Sequence, residues 1–403
     1  MQSITNLAGA AMRVYDKVVH EQVFAKNVLW NNILKNVAQH QGSTTKYMSV
    51  HYGRNVGHAA GGETITLPTA GNQSYLQATI PMKYNFHTVS LTDVSLQASK
   101  RSNEFLVNVL ESEYTGAKND MQRQLSRQGY GIGVGWIGQV SSSPSSGFTT
   151  DNPMVGRYVT DYVDVGSPVL FSSEATTATS AVYTHIATIV GNDSVTVTTE
   201  SGVADNDYIF LAHSKGASTA PDASNQNAEV MGLKGLIDDS SNVTTLQGLS
   251  RATYIWWKSY VSSNATQRSL TDALLHTTYL EAKKKGDPKY ALTSFDVFSA
   301  YGQLLSPDRR YTDKLELKGG FTGLSFNNIP MVPDYDCPYD ELYFIDPSTL
   351  SVEDLAPMSF LNEDGSILDR SSTTPAWNAT LRYYANLAIS APNKNSALRD
   401  VIK

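Results

Sequence analysis

Cysteine is almost missing from this chain. Cys337 is the only one in 403 residues, which excludes an internal disulfide framework and any multi-cysteine metal site. Long apolar runs are missing too. No stretch approaches the roughly eighteen consecutive apolar residues of a membrane helix, and no apolar core follows a basic start at the N-terminus. Neither a membrane span nor a secretory leader is expected, and synthesis in the cytoplasm is. Charge is scarce, at 17% of residues against 41% hydrophobic, and its balance is acidic, with a formal net charge of −7. That balance argues against a nucleic-acid binder working through a basic face. Signatures of catalysis are absent as well: there is no H-E-x-x-H, no G-x-S-x-G and no phosphate-binding loop. The eight histidines are scattered, none at ligand spacing. No catalytic, cofactor-binding or metal residue can be assigned, and the weight moves to a structural, non-enzymatic role.

What is present is organised around Ser102 to Gly129. Leu106, Leu110, Tyr114, Ala117, Met121 and Leu125 recur every three or four residues, placing them on one face of a helix. Ser102 is a suitable N-cap and Gly129 a suitable C′ residue. Such a helix spans roughly 40 Å. Its other face, with Glu111, Lys118, Gln122, Arg123 and Arg127, reads as solvated.

The chain is too long for one hydrophobic core, so two or three domains are expected. Its first forty residues read as amphipathic helix: Leu7, Ala11, Val14 and Val18 form one stripe, and Phe24, Val28, Ile33 and Val37 resume it. Arg13, Lys17, Lys26 and Lys35, with Lys46 just beyond, outnumber Asp16 and Glu21. From Lys46 the period becomes two. Tyr47–Tyr52 can be a strand, a glycine-punctuated loop carries Arg54 and His58, and Glu63–Leu67 alternates again. A further alternation runs from Leu76 to Phe86, and Val89 restarts it in the opposite phase. Strands this long around a polar tip form an arm that cannot bury both faces alone.

Gly129 to Gly135 alternates glycine after a helix, which fits close backbone approach and not a dinucleotide loop. Residues 158–226 form an acidic block in which Lys215 is the single basic residue, with β-rich runs at 169–171, 183–190, 194–199 and 208–212. It reads as an antiparallel insertion. Beyond it, Ser269–Lys285 is helical, Lys289–Thr293 a strand, Ser294 the cap of a second helix, and 379–388 a long closing strand. The cluster from Asp334 to Glu341 reads as an acidic surface loop, with nothing local to activate Cys337.

The series of a basic helical arm, an extended hairpin, a long strut helix and an acidic β insertion is followed by Gly286-Asp-Pro-Lys-Tyr-Ala-Leu-Thr-Ser294. Stretches at 229–238, 319–332 and 334–343 share the same style. This order resembles the major capsid proteins of tailed double-stranded DNA bacteriophages. The resemblance covers nearly the whole chain and rests on element order.

The resemblance implies an α+β chain with the Hong Kong 97-type capsid fold. Residues 1–45 would be the N-terminal arm and 46–86 the extended loop. Residues 87–130 and 344–403 would be the peripheral domain with its spine helix, and 131–343 an axial domain carrying the 158–226 insertion. It also implies self-association into hexamers and pentamers of an icosahedral shell. Scaffolding, portal and decoration proteins would be partners, packaged DNA would be touched nonspecifically, and the destination would be the virion. Arg54, His58 and Glu63 at the loop tip, with Arg13 and Lys17 on the arm, become inter-subunit contact candidates. Leu106, Leu110, Tyr114, Met121 and Leu125 become the core face of the spine. Some family members crosslink through a lysine of the loop; here none lies between Tyr47 and Met82, so a non-covalent shell is expected. With the arm beginning at once, scaffolding would come from a separate protein or from the arm itself. Two other readings stay open. One is a carbohydrate-binding or adhesin-like β module, using Trp256-Trp257 as a stacking platform or a buried pair. The other is an enzyme with an unfamiliar site.

Overall fold

The computed structural model describes residues 29–30, 37–39, 44–93, 103–142, 148–176, 182–198, 202–213, 225–305, 315–317, 321–361, 368–370 and 374–402. Strands outnumber helices throughout, in a mixed α/β architecture.

The long helix runs Asn103–Gln128. Ala117, Met121 and Leu125 are buried on one stripe, and half-buried Tyr114 meets Phe360 at 4.8 Å between ring centres. The side chains of Leu106 and Leu110 lie outside the described residues, as does Ser102. Two expectations need correcting. Arg127 is not on a solvated face: it is buried, where it takes Gln124 and Glu229 as acceptors. Gly129 does not end the helix by a left-handed backbone. A Cβ there would meet Leu29 Cδ2 at 2.8 Å and Trp30 Nε1 at 3.1 Å, so close packing demands the glycine. Trp30 Nε1 donates to the Leu125 carbonyl at 2.8 Å.

This helix lies on one face of a sheet. Ala376–Ile389 is central, antiparallel to Lys83–Thr92 on one edge and to Leu350–Phe360 on the other; Val37–Gln39 adds in parallel beyond. Val37 is therefore a strand residue and not the end of a helical stripe as expected; Phe24, Val28 and Ile33 lie outside the described residues. Asn85 and His87 point to the helix, meeting Gln128 at 2.9 Å and Asp120 at 4.0 Å. Tyr84, Phe86 and Thr88 alternate to the other face.

A closed six-stranded barrel follows, ordered Tyr208–Leu211, Trp136–Ser142, Phe148–Asp151, Ser194–Val197, Val182–Ile189 and Pro168–Ser172. The acidic block supplies four of these strands, and two come from upstream of it. Ile137, Val140, Phe148, Val169, Phe171, Ile186, Val195 and Ile209 fill the interior. The expected close approach of the glycine run is seen at Gly135, with φ +98° and a would-be Cβ 2.2 Å from the Asn225 carbonyl oxygen.

A third unit is a mixed six-stranded sheet from Tyr260–Ser262 to Ser325–Phe326, with Leu342–Ile345 and Tyr290–Thr293 at its centre. Two helices pack on it, Asp272–Lys283 and Phe295–Leu304, capped by Thr271 and Ser294, whose hydroxyls accept from Leu274 N and Val297 N. The tract 344–403 is shared between sheets: Ala376–Ile389 belongs to the first and Ser396–Leu398 to this one.

Candidate functional site

The first candidate surface is the hairpin. Thr45–Gly53 pairs antiparallel with Ser74–Pro81, from Thr45 opposite Pro81 to Gly53 opposite Ser74, and joins no other sheet. Alternation divides its faces. Met48, Val50, Leu76 and Ala78 turn to the main core, while Tyr47 and Tyr75 stand in solvent. The expected strand over Glu63–Leu67 is absent; Ile65 N bonds Gly62 O in a turn, and the rest of that run is irregular. No second strand faces it, so alternation alone produces no ladder.

The root of the hairpin is firmly held. Lys46 pairs with buried Glu353, and the ladder is also held at its far end, where Tyr52 stacks on Trp256 with ring centres 5.6 Å apart and planes 12° apart. Thr79 N donates to Gln247 O at 2.8 Å, and Asn386 Nδ2 donates to Pro81 O at 2.7 Å. A cavity of about 290 Å³ opens there between Lys83, Glu229, Met231 and Gln247. The Lys83 ammonium donates to the Asn227 carbonyl at 2.6 Å. Burial lowers its pKa, against the opposing pull of Glu229. Trp257 is buried, its Nε1 donating to Leu246 O at 3.1 Å. With Trp256 taken by Tyr52, the pair is no open sugar platform.

The tip is the opposite of the root. Arg54, His58 and Glu63 are all exposed and are brought to the same loop, but none is paired with another described residue. Val56 and Leu67 are 85% and 84% exposed. Arg13 and Lys17 lie outside the described residues.

Two buried polar clusters were not legible as such. The segment 334–341 is no solvated loop: Asp334, Asp336 and Glu341 are all buried. Tyr130 Oη donates to Asp334 at 2.7 Å and Tyr162 Oη to Asp336 at 3.0 Å. Burial pushes Asp334 up to about 6, assisted by the nearby Asp336 and opposed by the Tyr130 hydrogen bond. Burial, then Glu341, does the same to Asp340, also to about 6. Burial likewise raises the Cys337 thiol, leaving an inert side chain. These clusters tie the helix end and the barrel to the third sheet.

In the second cluster, Asp238 accepts from Arg399 Nη1 at 2.9 Å, from Arg251 Nη1 at 3.5 Å, and from the Asn242 and Val243 amides at 3.1 Å each. The same guanidiniums take the carbonyls of Gly235, Leu236 and Ile237. Carbonyls at the end of the short helix Leu233–Leu236 are thereby satisfied without water. Burial alone would raise the Asp238 pKa; the Val243 amide and Arg399 outweigh it and lower it to about 2. Asp334, Asp336, Glu341 and Asp238 are each matched to a phenol, amide or cation, which is the chemistry of a rigid junction.

Among the described residues, no three His, Cys, Asp or Glu side chains converge to hold a metal, and no helix is long and apolar enough to cross a membrane. No protein-family model matches the sequence. No curated protein matches it either. Solved structures do. The chain in the cyanophage A-1(L) capsid asymmetric unit is 12% identical, covered 100% on both sides, with a TM-score of 0.61. The capsid of the native GTA particle is 10% identical over 100% of this chain and 99% of that one, with a TM-score of 0.54. The empty GTA capsid is 8% identical, covered 99% and 98%, at 0.51. From end to end, this chain has the fold of phage capsid shell proteins.

Proposed function

We propose that this protein is the major capsid protein of a tailed double-stranded DNA bacteriophage, a non-enzymatic subunit that self-assembles into the icosahedral shell of the virion. One observation carries the reading: the likeness to the chain of a cyanophage capsid covers 100% of both chains at a TM-score of 0.61. A second agrees with it. A hairpin with a fastened root and a solvent-exposed apolar tip is incomplete in one copy and is completed by another.

In this reading the fold is of the Hong Kong 97 type. The hairpin is the extended loop, the helix Asn103–Gln128 the spine of the peripheral domain, and the barrel an insertion in the axial domain. The tip residues Arg54, His58 and Glu63 contact neighbouring subunits, and the basic N-terminal segment, with Arg13 and Lys17, faces either a neighbour or the packaged DNA, where nonspecific attraction to phosphate suffices. Contacts can be individually weak, because a closed shell is multivalent. Scaffolding, portal and decoration proteins belong to the same reading.

Negative-stain electron microscopy with sedimentation velocity tests it. Closed shells, or rings of five and six, are the expected result. A monodisperse monomer or dimer at every salt and pH, with or without a scaffold partner, would refute it.

A further inference from the structure

The sheet face turned away from the long helix carries an uncovered aromatic cluster. Tyr84 and Phe86 are 43% and 56% exposed. Their rings meet Tyr384 edge-on, at 5.1 and 5.5 Å. Arg382 lies on the same face, opposite Phe86 in the ladder, with its guanidinium 5.7 Å from the centre of the Tyr384 ring. No carboxylate among the described residues pairs with it, and its Nε is buried without a hydrogen-bond partner. The patch is therefore apolar, with one cation that no described carboxylate neutralises.

The hairpin tip has the complementary character. Glu63 has no cationic partner among the described residues, and Ile65 and Leu67 follow it closely in sequence, 44% and 84% exposed. The tip stands free of the sheet face within one copy. Satisfying both surfaces therefore calls for a second copy. Such a contact is heterologous, tip to face, and repeats into a ring or lattice.

Resting on the capsid reading above, we propose that the tip of one subunit docks on this face of its neighbour, with Glu63 pairing to Arg382 and Leu67 packing against Tyr84 and Phe86. The aromatic surround excludes water from the ion pair, which strengthens it and makes its loss costly. The Tyr384 ring attracts the guanidinium and helps to hold it on this face.

A charge swap tests this. Glu63→Arg and Arg382→Glu should each lower the shell fraction by about tenfold or more at fixed protein concentration, and the double variant should recover most of it. Unchanged thermal melts of the single variants would show that folding is not the cause. Independently, Leu67→Cys with Phe86→Cys should give a disulfide-linked ladder of multimers on a non-reducing gel, since the native Cys337 is buried. Two results would overturn the proposal in a protein that does form shells. One is a swap without recovery. The other is a ladder from Leu67→Cys with Ile255→Cys in place of the Phe86 pair, Ile255 being 75% exposed on the turn Ile255–Trp257 and outside the aromatic sheet face. If the unmodified protein forms neither shells nor rings, the capsid reading falls, and this proposal with it.

Discussion

Asp238→Ala removes the shared anion of the most deeply buried ionic cluster. Asp238 and Arg251 are fully buried, and Arg399 nearly so. Deleting one partner of a buried pair strands the other charge, at a cost of about 3–5 kcal/mol. Both arginines keep carbonyl acceptors, and Arg399 keeps Glu341 at 3.6 Å. The lower bound therefore applies, about 3 kcal/mol, or roughly a 150-fold shift in the unfolding equilibrium. The pH dependence carries a second signature. Depression of Asp238 from 3.8 to about 2 corresponds to roughly 2.5 kcal/mol. With the folded pKa below the unfolded one, that stability is present above about pH 4 and is lost as the pH falls toward 2. Urea unfolding followed by tryptophan emission reads both, because Arg251 Nε reaches the Trp257 carbonyl at 3.4 Å. Asp238→Asn should lose this portion of the acid response. A cost below about 0.5 kcal/mol for Asp238→Ala, well under the range for a stranded buried charge, or an unaltered acid response in the Asn variant, would refute the reasoning.

Asp334 should behave in the opposite sense. Its folded pKa, raised to about 6, makes its contribution full below about pH 4 and lost as the pH rises through 6. Asp334→Asn, which keeps an acceptor for Tyr130, should gain about 3 kcal/mol at pH 8 and nothing at pH 4, measured by urea midpoints. Gly135→Ala should cost about 1–3 kcal/mol in the same assay, because φ is +98° and the new Cβ collides with the Asn225 carbonyl. Met121→Ala should cost about 2–5 kcal/mol by opening the helix–sheet core. Leu67→Ala, at the exposed tip, should leave the melting temperature in place and reduce shell yield in sedimentation.

The long helix was visible because its contacts follow a period: Tyr114, Ala117, Met121 and Leu125 recur at the spacing that buries one stripe. The hairpin strands, the four runs of the acidic block and the cap at Ser294 were legible for the same reason, since alternation and capping are local; the helix expected from Ser269 starts later, at Asp272, capped by Thr271. Where readings failed, a long-range partner decided. Arg127 has the local context of a solvated residue and is buried because Glu229, 102 positions away, supplies its counter-charge. The 334–341 carboxylates look like a surface loop until Tyr130 and Tyr162 arrive to bond them. Glu63–Leu67 alternates like a strand and has no strand to pair with. The periodic elements, their order and the absence of a recognisable catalytic motif are legible from residue order alone, because each depends on near neighbours or on composition. The closing of the barrel by two upstream strands and the pairing of the buried charges appear only in three dimensions. So does Arg382 over the Tyr384 ring and opposite Phe86. Burial and pairing are properties of residues far apart in the chain, and spacing does not encode them.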